Sequence, residues 1–274
     1  MREETVRLPN GMDCAYISQG DGRPVVLIHG FGGSKESWLP DIELLSRRYS
    51  VIAYDLMGHG RSRLPDGFPL TDTSLAEQLR GILEYSGSHD YTLIAHSLGA
   101  CVVFQYVLKY GCELVDRVII ADMTPSMNLQ PDWDLISVGG FGSRSALEWM
   151  ERDYEGYMRA IVSAGGTQGL SEEEFERYFQ GFMSTLQQVP VTRVLESCQA
   201  DYRPALARFT VPAAYFYADP GTMLVRPAEL AEYYQTHITA PCKLVPFYCN
   251  THSFPQDMPE QFTSEVISFI ENFN

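Results

Sequence analysis

Short apolar runs recur along this chain, and most end abruptly at glycine, serine or aspartate. Val25-Val26-Leu27-Ile28, Val51-Ile52-Ala53-Tyr54, Tyr91-Thr92-Leu93-Ile94-Ala95 and Val118-Ile119-Ile120-Ala121 are nearly continuous in apolar character, and residues 211–217 and 243–247 follow suit. A strand covered on both faces needs that continuity, whereas a strand with one wet face would alternate. Between the runs, apolar residues at helical spacing predict helices over 37–48, 71–85, 228–234 and 260–270. In the second of these Leu75, Leu79, Ile82 and Leu83 share a face. At the start, Thr5-Val6-Arg7-Leu8 and Cys14-Ala15-Tyr16-Ile17 flank Asn10-Gly11, a pair suited to the positive φ angles of a tight hairpin turn. Strands alternating with helices predict an α/β protein with a doubly wound, mostly parallel sheet.

The pattern lapses between 126 and 208, where no strand is evident. Helical runs cover 145–163, 171–185 and 191–199, interrupted by Gly165-Gly166 and Pro190. The expected organisation is therefore a core of 1–125 and 209–274 with a helical lid inserted at 126–208. Phe175, Tyr178, Phe179, Phe182 and Met183 form an apolar stripe in this insertion, which predicts packing onto the core and partial cover of a cavity.

In sheets of this kind, functional groups gather at the carboxyl ends of strands. Three candidates stand there: the glycine-rich loop Gly30-Phe31-Gly32-Gly33, Ser97 and Asp122. At Ala95-His96-Ser97-Leu98-Gly99-Ala100 a buried strand stops at a serine among small residues and an apolar helical run begins at once. That is the pattern of a nucleophile elbow, in which a sharp turn holds the hydroxyl at its apex. Serine needs a base to take its proton. His252, in a polar loop just past a late strand, is the best-placed histidine. His89 and His237 read as surface residues, His96 as pointing to the other side of the elbow, and Asp55 and His59 as turn-formers. The glycine loop turns backbone N–H groups toward one point, as an oxyanion hole requires. It lacks the Lys-Ser/Thr that closes a phosphate loop.

Composition narrows the partners. A formal net charge of -15 over 274 residues makes nucleic acid and anionic membrane unfavourable partners and suits neutral or cationic small molecules. Cysteines 14, 101, 112, 198, 242 and 249 show neither C-x-x-C pairs nor metal-ligand spacing. They read as reduced thiols of a cytoplasmic protein, with no metal and no cofactor implied.

His29-Gly30-Phe31-Gly32-Gly33, Asp55-Leu56-Met57-Gly58-His59-Gly60-Arg61-Ser62, Ala95-His96-Ser97-Leu98-Gly99 and Thr251-His252 together resemble the α/β-hydrolase fold superfamily, in its small esterase and non-haem haloperoxidase-like branch. The resemblance spans the chain outside the lid. It implies Ser97 as nucleophile, His252 as general base and then acid, and the N–H groups of Phe31 and Leu98 as oxyanion donors. The chain departs from the family at the acid. The G-x-x-D turn expected after 213–217 reads Ala218-Asp219-Pro220-Gly221, with glycine where the carboxylate belongs. Asp122, at the end of the strand after the elbow, is the favoured acid, and Asp219 the alternative. The implied activity is hydrolysis of a carboxylic ester, lactone or related small acyl substrate through an acyl-enzyme, without cofactor. Acyl transfer, cyclisation and perhydrolysis use the same groups, and a small-molecule receptor on the same scaffold is the non-catalytic alternative. Trp38, Met123, Trp133 and Phe254 are candidate pocket walls. Fold and triad leave specificity and oligomeric state open.

Overall fold

The computed structural model describes residues 1–9, 11–65, 67–128, 131–133, 135, 144–165, 170–186, 189, 196–197, 199–221 and 226–273. Eight strands form one sheet: β1 (Arg2–Arg7), β2 (Asp13–Gln19), β3 (Pro24–Ile28), β4 (Ser50–Tyr54), β5 (Tyr91–His96), β6 (Val115–Ala121), β7 (Ala213–Pro220) and β8 (Cys242–Cys249). They lie in the order β1-β2-β4-β3-β5-β6-β7-β8. β1 and β2 pair antiparallel with their neighbours, and every pairing from β4 to β8 is parallel. The continuous apolar runs therefore sit in the parallel part, where helices cover both faces.

One face is covered by α1 (Leu39–Leu45) and α10 (Pro259–Asn272), whose Ile42, Leu45, Phe262, Val266 and Phe269 pack under Val25, Leu27 and Ile94. The other is covered by α2 (Asp72–Ser86), α3 (Leu98–Tyr110) and α8 (Pro227–His237). Thr71 starts α2 by accepting the Ser74 N–H at 3.1 Å, a capping interaction that satisfies an orphan helix donor.

The run over 37–48 divides into a 3₁₀ turn, Lys35–Trp38, and α1. Pro40 lies in the first turn of α1, where its missing N–H is harmless but where it cannot continue a preceding helix. The run over 145–163 likewise divides into α4 (Arg144–Arg152) and α5 (Tyr154–Ala164), because Asp153 between them accepts the Gly156 N–H at 2.9 Å and caps the second. α6 (Glu172–Thr185) follows. The run over 191–199 lies largely outside the described residues. Two short helices, α7 (Arg203–Leu206) and α9 (Phe254–Asp257), were not anticipated. Among the described residues no helix is long and apolar enough to cross a membrane.

Candidate active site

β5 leads straight into Ser97, whose backbone takes φ +53° and ψ −124° before α3 begins at Leu98. A positive φ strains a residue with a Cβ. Two hydrogen bonds hold it: Ser97 N–H donates to the Ala121 carbonyl at 3.0 Å, and Ser97 O accepts from Ala100 N–H at 2.8 Å. The small neighbours are sterically required. A Cβ on Gly99 would lie 2.5 Å from the Ile28 carbonyl oxygen, and one on Gly30 would lie 2.9 Å from the Ser97 Cβ.

Asp122 follows β6, also at positive φ (+48°). Its N–H donates to Phe216 O at 2.8 Å, and its Oδ1 accepts the Ala218 N–H at 3.3 Å, so β7 fixes both ends of the residue. The other carboxylate oxygen accepts from His252 Nδ1 at 2.7 Å. Asp122 is only 7% exposed. A proton on Nδ1 for this bond leaves the Nε2 lone pair free to accept. The loop that carries His252 is tied down by its backbone: His252 N–H donates to Gly165 O at 3.0 Å, and His252 O accepts from His96 Nε2 at 2.8 Å. Burial pushes His96 down to about 3, with His252 adding to the effect, so its ring is the neutral donor.

The glycine loop turns at Gly30-Phe31-Gly32-Gly33. Gly33 N–H donates to Gly30 O at 3.1 Å, and Gly32 takes φ +71°. Leu98 is the first residue of α3, where a helix leaves its N–H groups without intrahelical acceptors. Phe31, Leu98, Ser97, Asp122 and His252 all line one cavity of about 770 Å³. That is large enough to bury a small organic molecule.

Residues 25–265 match the alpha/beta hydrolase family model. The chain belongs to the alpha/beta hydrolase family. It is 47% identical over 62 residues to the (E)-2-((N-methylformamido)methylene)succinate hydrolase of Acinetobacter baylyi, covering 23% of this chain and 24% of that protein. Identity to the non-heme chloroperoxidase CPO-A1 of Kitasatospora aureofaciens is 31% over 125 residues, 45% of each chain. These matches span less than half the length of the relatives. The esterase EaEST from Exiguobacterium antarcticum superposes with a TM-score of 0.85 over 99% of this chain and 100% of its own, at 19% identity, a likeness of fold.

The two candidate acids of this α/β hydrolase lie in different surroundings. Asp122 is bonded to His252, whereas Asp219 lies on β7 opposite Tyr248 and is not among the residues that line the cavity. Met123 does line it. Three other expected walls do not. Trp38 is fully buried on the opposite face of the sheet, against Phe262. Trp133 donates its Nε1–H to Ser126 O at 2.9 Å and carries the Arg203 guanidinium over its ring, and Phe254 stacks on Phe247 at 4.4 Å. Each of these rings found an apolar or carbonyl partner in the core instead. His96 points to the other side of the elbow, toward Trp38, and its ring also lies 4.8 Å from that of His252.

His59 forms the expected turn, its N–H donating to Leu56 O at 2.9 Å, and its ring also borders the cavity, T-shaped to Phe31 at 5.9 Å between centroids. Its place at the end of a parallel strand, like Ser97 and Asp122, was the available signal. Asp55 is structural. Its carboxylate, fully buried, accepts from Lys35 N–H (2.7 Å), Lys35 Nζ (3.0 Å) and Arg61 N–H (2.8 Å). Of the apolar stripe on α6, Tyr178 and Phe182 reach the cavity, while Phe179 is buried among its neighbours.

Proposed function

We propose that this protein hydrolyses neutral carboxylic esters, lactones or related small acyl compounds, with 126–208 acting as a lid over the cavity. The observation that carries the reading is the 2.7 Å bond from His252 Nδ1–H to the buried Asp122 carboxylate, in a cavity that Ser97 also lines. In this reading His252 Nε2 takes the Ser97 hydroxyl proton as Oγ attacks the acyl carbon. The oxyanion gathers at the N–H groups of Phe31 and Leu98. The resulting imidazolium, steadied by Asp122, returns its proton to the leaving oxygen. Water then repeats the sequence on the acyl-enzyme, with His252 again as base.

The lining supports a neutral substrate. Leu70, Leu75, Leu98, Met123, Ile161 and Phe182 supply most of its character, and Glu36 and Asp257 add negative charge. Arg177, also at the cavity, pairs with Glu173 at 3.1 Å. A dicarboxylate would meet repulsion here.

The test is fluorophosphonate labelling together with p-nitrophenyl ester turnover. Wild-type protein should label at one serine and turn over, and Ser97→Ala should lose the label and at least ~10³-fold of the rate. Neutral acyl groups should outpace carboxylate-bearing ones of equal length. Absence of labelling in folded wild-type protein would end this reading and leave a receptor role.

A further inference from the structure

The lid helix α6 does more than roof the cavity. The Thr185 hydroxyl lies 2.7 Å from the Gly32 carbonyl oxygen and 2.8 Å from the Phe182 carbonyl of its own helix, so its single proton is placed between the two. The Phe182 ring presses on the same turn. Its edge meets Phe31 at 5.7 Å between centroids, and a Cβ on Gly32 would lie 2.0 Å from the ring. The contact joins residues 153 positions apart.

The peptide unit involved is the one that closes the turn. Its carbonyl, on Gly32, faces Thr185, and its N–H, on Gly33, donates to Gly30 O at 3.1 Å. Both polar ends of that plane are therefore bonded. Phe31 stands within the turn so closed, and the direction of its N–H follows from the turn's geometry. Without the hydroxyl, the Gly32 carbonyl under α6 loses the Thr185 donor, and the glycines at 32 and 33 leave the plane free to rotate.

We propose that Thr185 is a positioning residue for the oxyanion hole, acting through the Gly32 carbonyl to aim the Phe31 N–H. This rests on the acyl-enzyme reading above. Misplacement of a donor acts on the transition state more than on the bound ester, so the effect should appear in kcat.

Thr185→Val keeps the shape and removes the hydroxyl, Thr185→Ser restores it, and Ser184→Ala serves as the control. Ser184 is exposed, and among the described residues its hydroxyl bonds the Gly181 carbonyl of α6, at 2.7 Å. With a p-nitrophenyl ester, Thr185→Val should lower kcat by ~10–100-fold, the scale of a small misalignment, with KM within about two-fold. Thr185→Ser should recover most of the rate, and Ser184→Ala should match wild type. Amide hydrogen exchange at Gly33, read by NMR, should quicken in Thr185→Val alone. A rise in KM at unchanged kcat would make Thr185 only a cavity wall and overturn the proposal, as would failure of serine to rescue. Should wild-type protein neither label nor turn over, the acyl-enzyme reading falls by itself. Gly33 exchange then decides: faster in Thr185→Val supports the clamp, and unchanged exchange refutes it.

Discussion

Replacing Asp122 with asparagine tests the charge relationship at the centre of the site. In the proposed acylation His252 would become an imidazolium beside a carboxylate whose nearest oxygen is 2.7 Å from Nδ1. Taking the charge centres as about 4 Å apart and an effective dielectric of about 20, their attraction is ~4 kcal/mol. At about 1.36 kcal/mol per decade this is a ~10³-fold loss of rate. A second loss adds to it. The asparagine amide can turn its NH₂ toward Nδ1, which moves the imidazole proton to Nε2 and blocks the lone pair that Ser97 needs. The expected fall in kcat for Asp122→Asn is thus ~10³–10⁴-fold, with fluorophosphonate labelling slowed in parallel. Asp219→Asn should stay within about three-fold of wild type, since that carboxylate lies outside the cavity lining. Steady-state kinetics on an activated ester measures both. A rate within ten-fold of wild type in Asp122→Asn, with collapse in Asp219→Asn, would refute the assignment and place the acid on β7.

Two further expectations concern the scaffold. Burial pushes Asp41 in α1 up to about 8, with Glu260 of α10 adding repulsion. The folded chain then holds a proton that the unfolded chain releases near pH 4. Stability should fall as pH rises from about 4 to 8, by ~4 kcal/mol at pH 7. Asp41→Asn, which cannot ionise, should raise the urea midpoint at pH 7 and leave it almost unchanged at pH 4; equal effects at both would contradict the burial argument. Gly99→Ala forces a methyl against the Ile28 and His29 carbonyls, at 2.5 and 2.8 Å, so β3 and α3 must part. It should cost about 1–3 kcal/mol in chemical denaturation and lower kcat with it. An unaltered midpoint would mean that the elbow is looser than its contacts indicate.

The strands and their burial were legible because parallel strands covered on both faces leave a continuous apolar signature that survives in one dimension. The elbow was legible for a related reason: close approach of β3 to α3 admits only small residues, and those residues are adjacent in the chain. What failed were inferences about which face a side chain takes when the deciding partner is distant. Period-two alternation correctly sets His96 opposite Ser97 across the sheet, toward Trp38 at 6.4 Å between centroids. Yet the loop after β8 curls over that edge and brings the His252 carbonyl, 156 positions away, onto His96 Nε2. Trp38, close in sequence to the glycine loop, is carried by its 3₁₀ turn to the far layer, where Phe262 of the last helix receives it. Helix α6 is the strongest case. A threonine at the end of an amphipathic helix is unremarkable in sequence, since a hydroxyl there commonly bonds its own helix. Only the fold sets the Gly32 carbonyl within reach of it, while Gly165 at the end of α5 receives the His252 N–H. Helices α5 and α6 thus hold the glycine turn and the loop that carries His252. If 126–208 acts as the proposed lid, its movement should therefore disturb the site's geometry as well as its access to substrate.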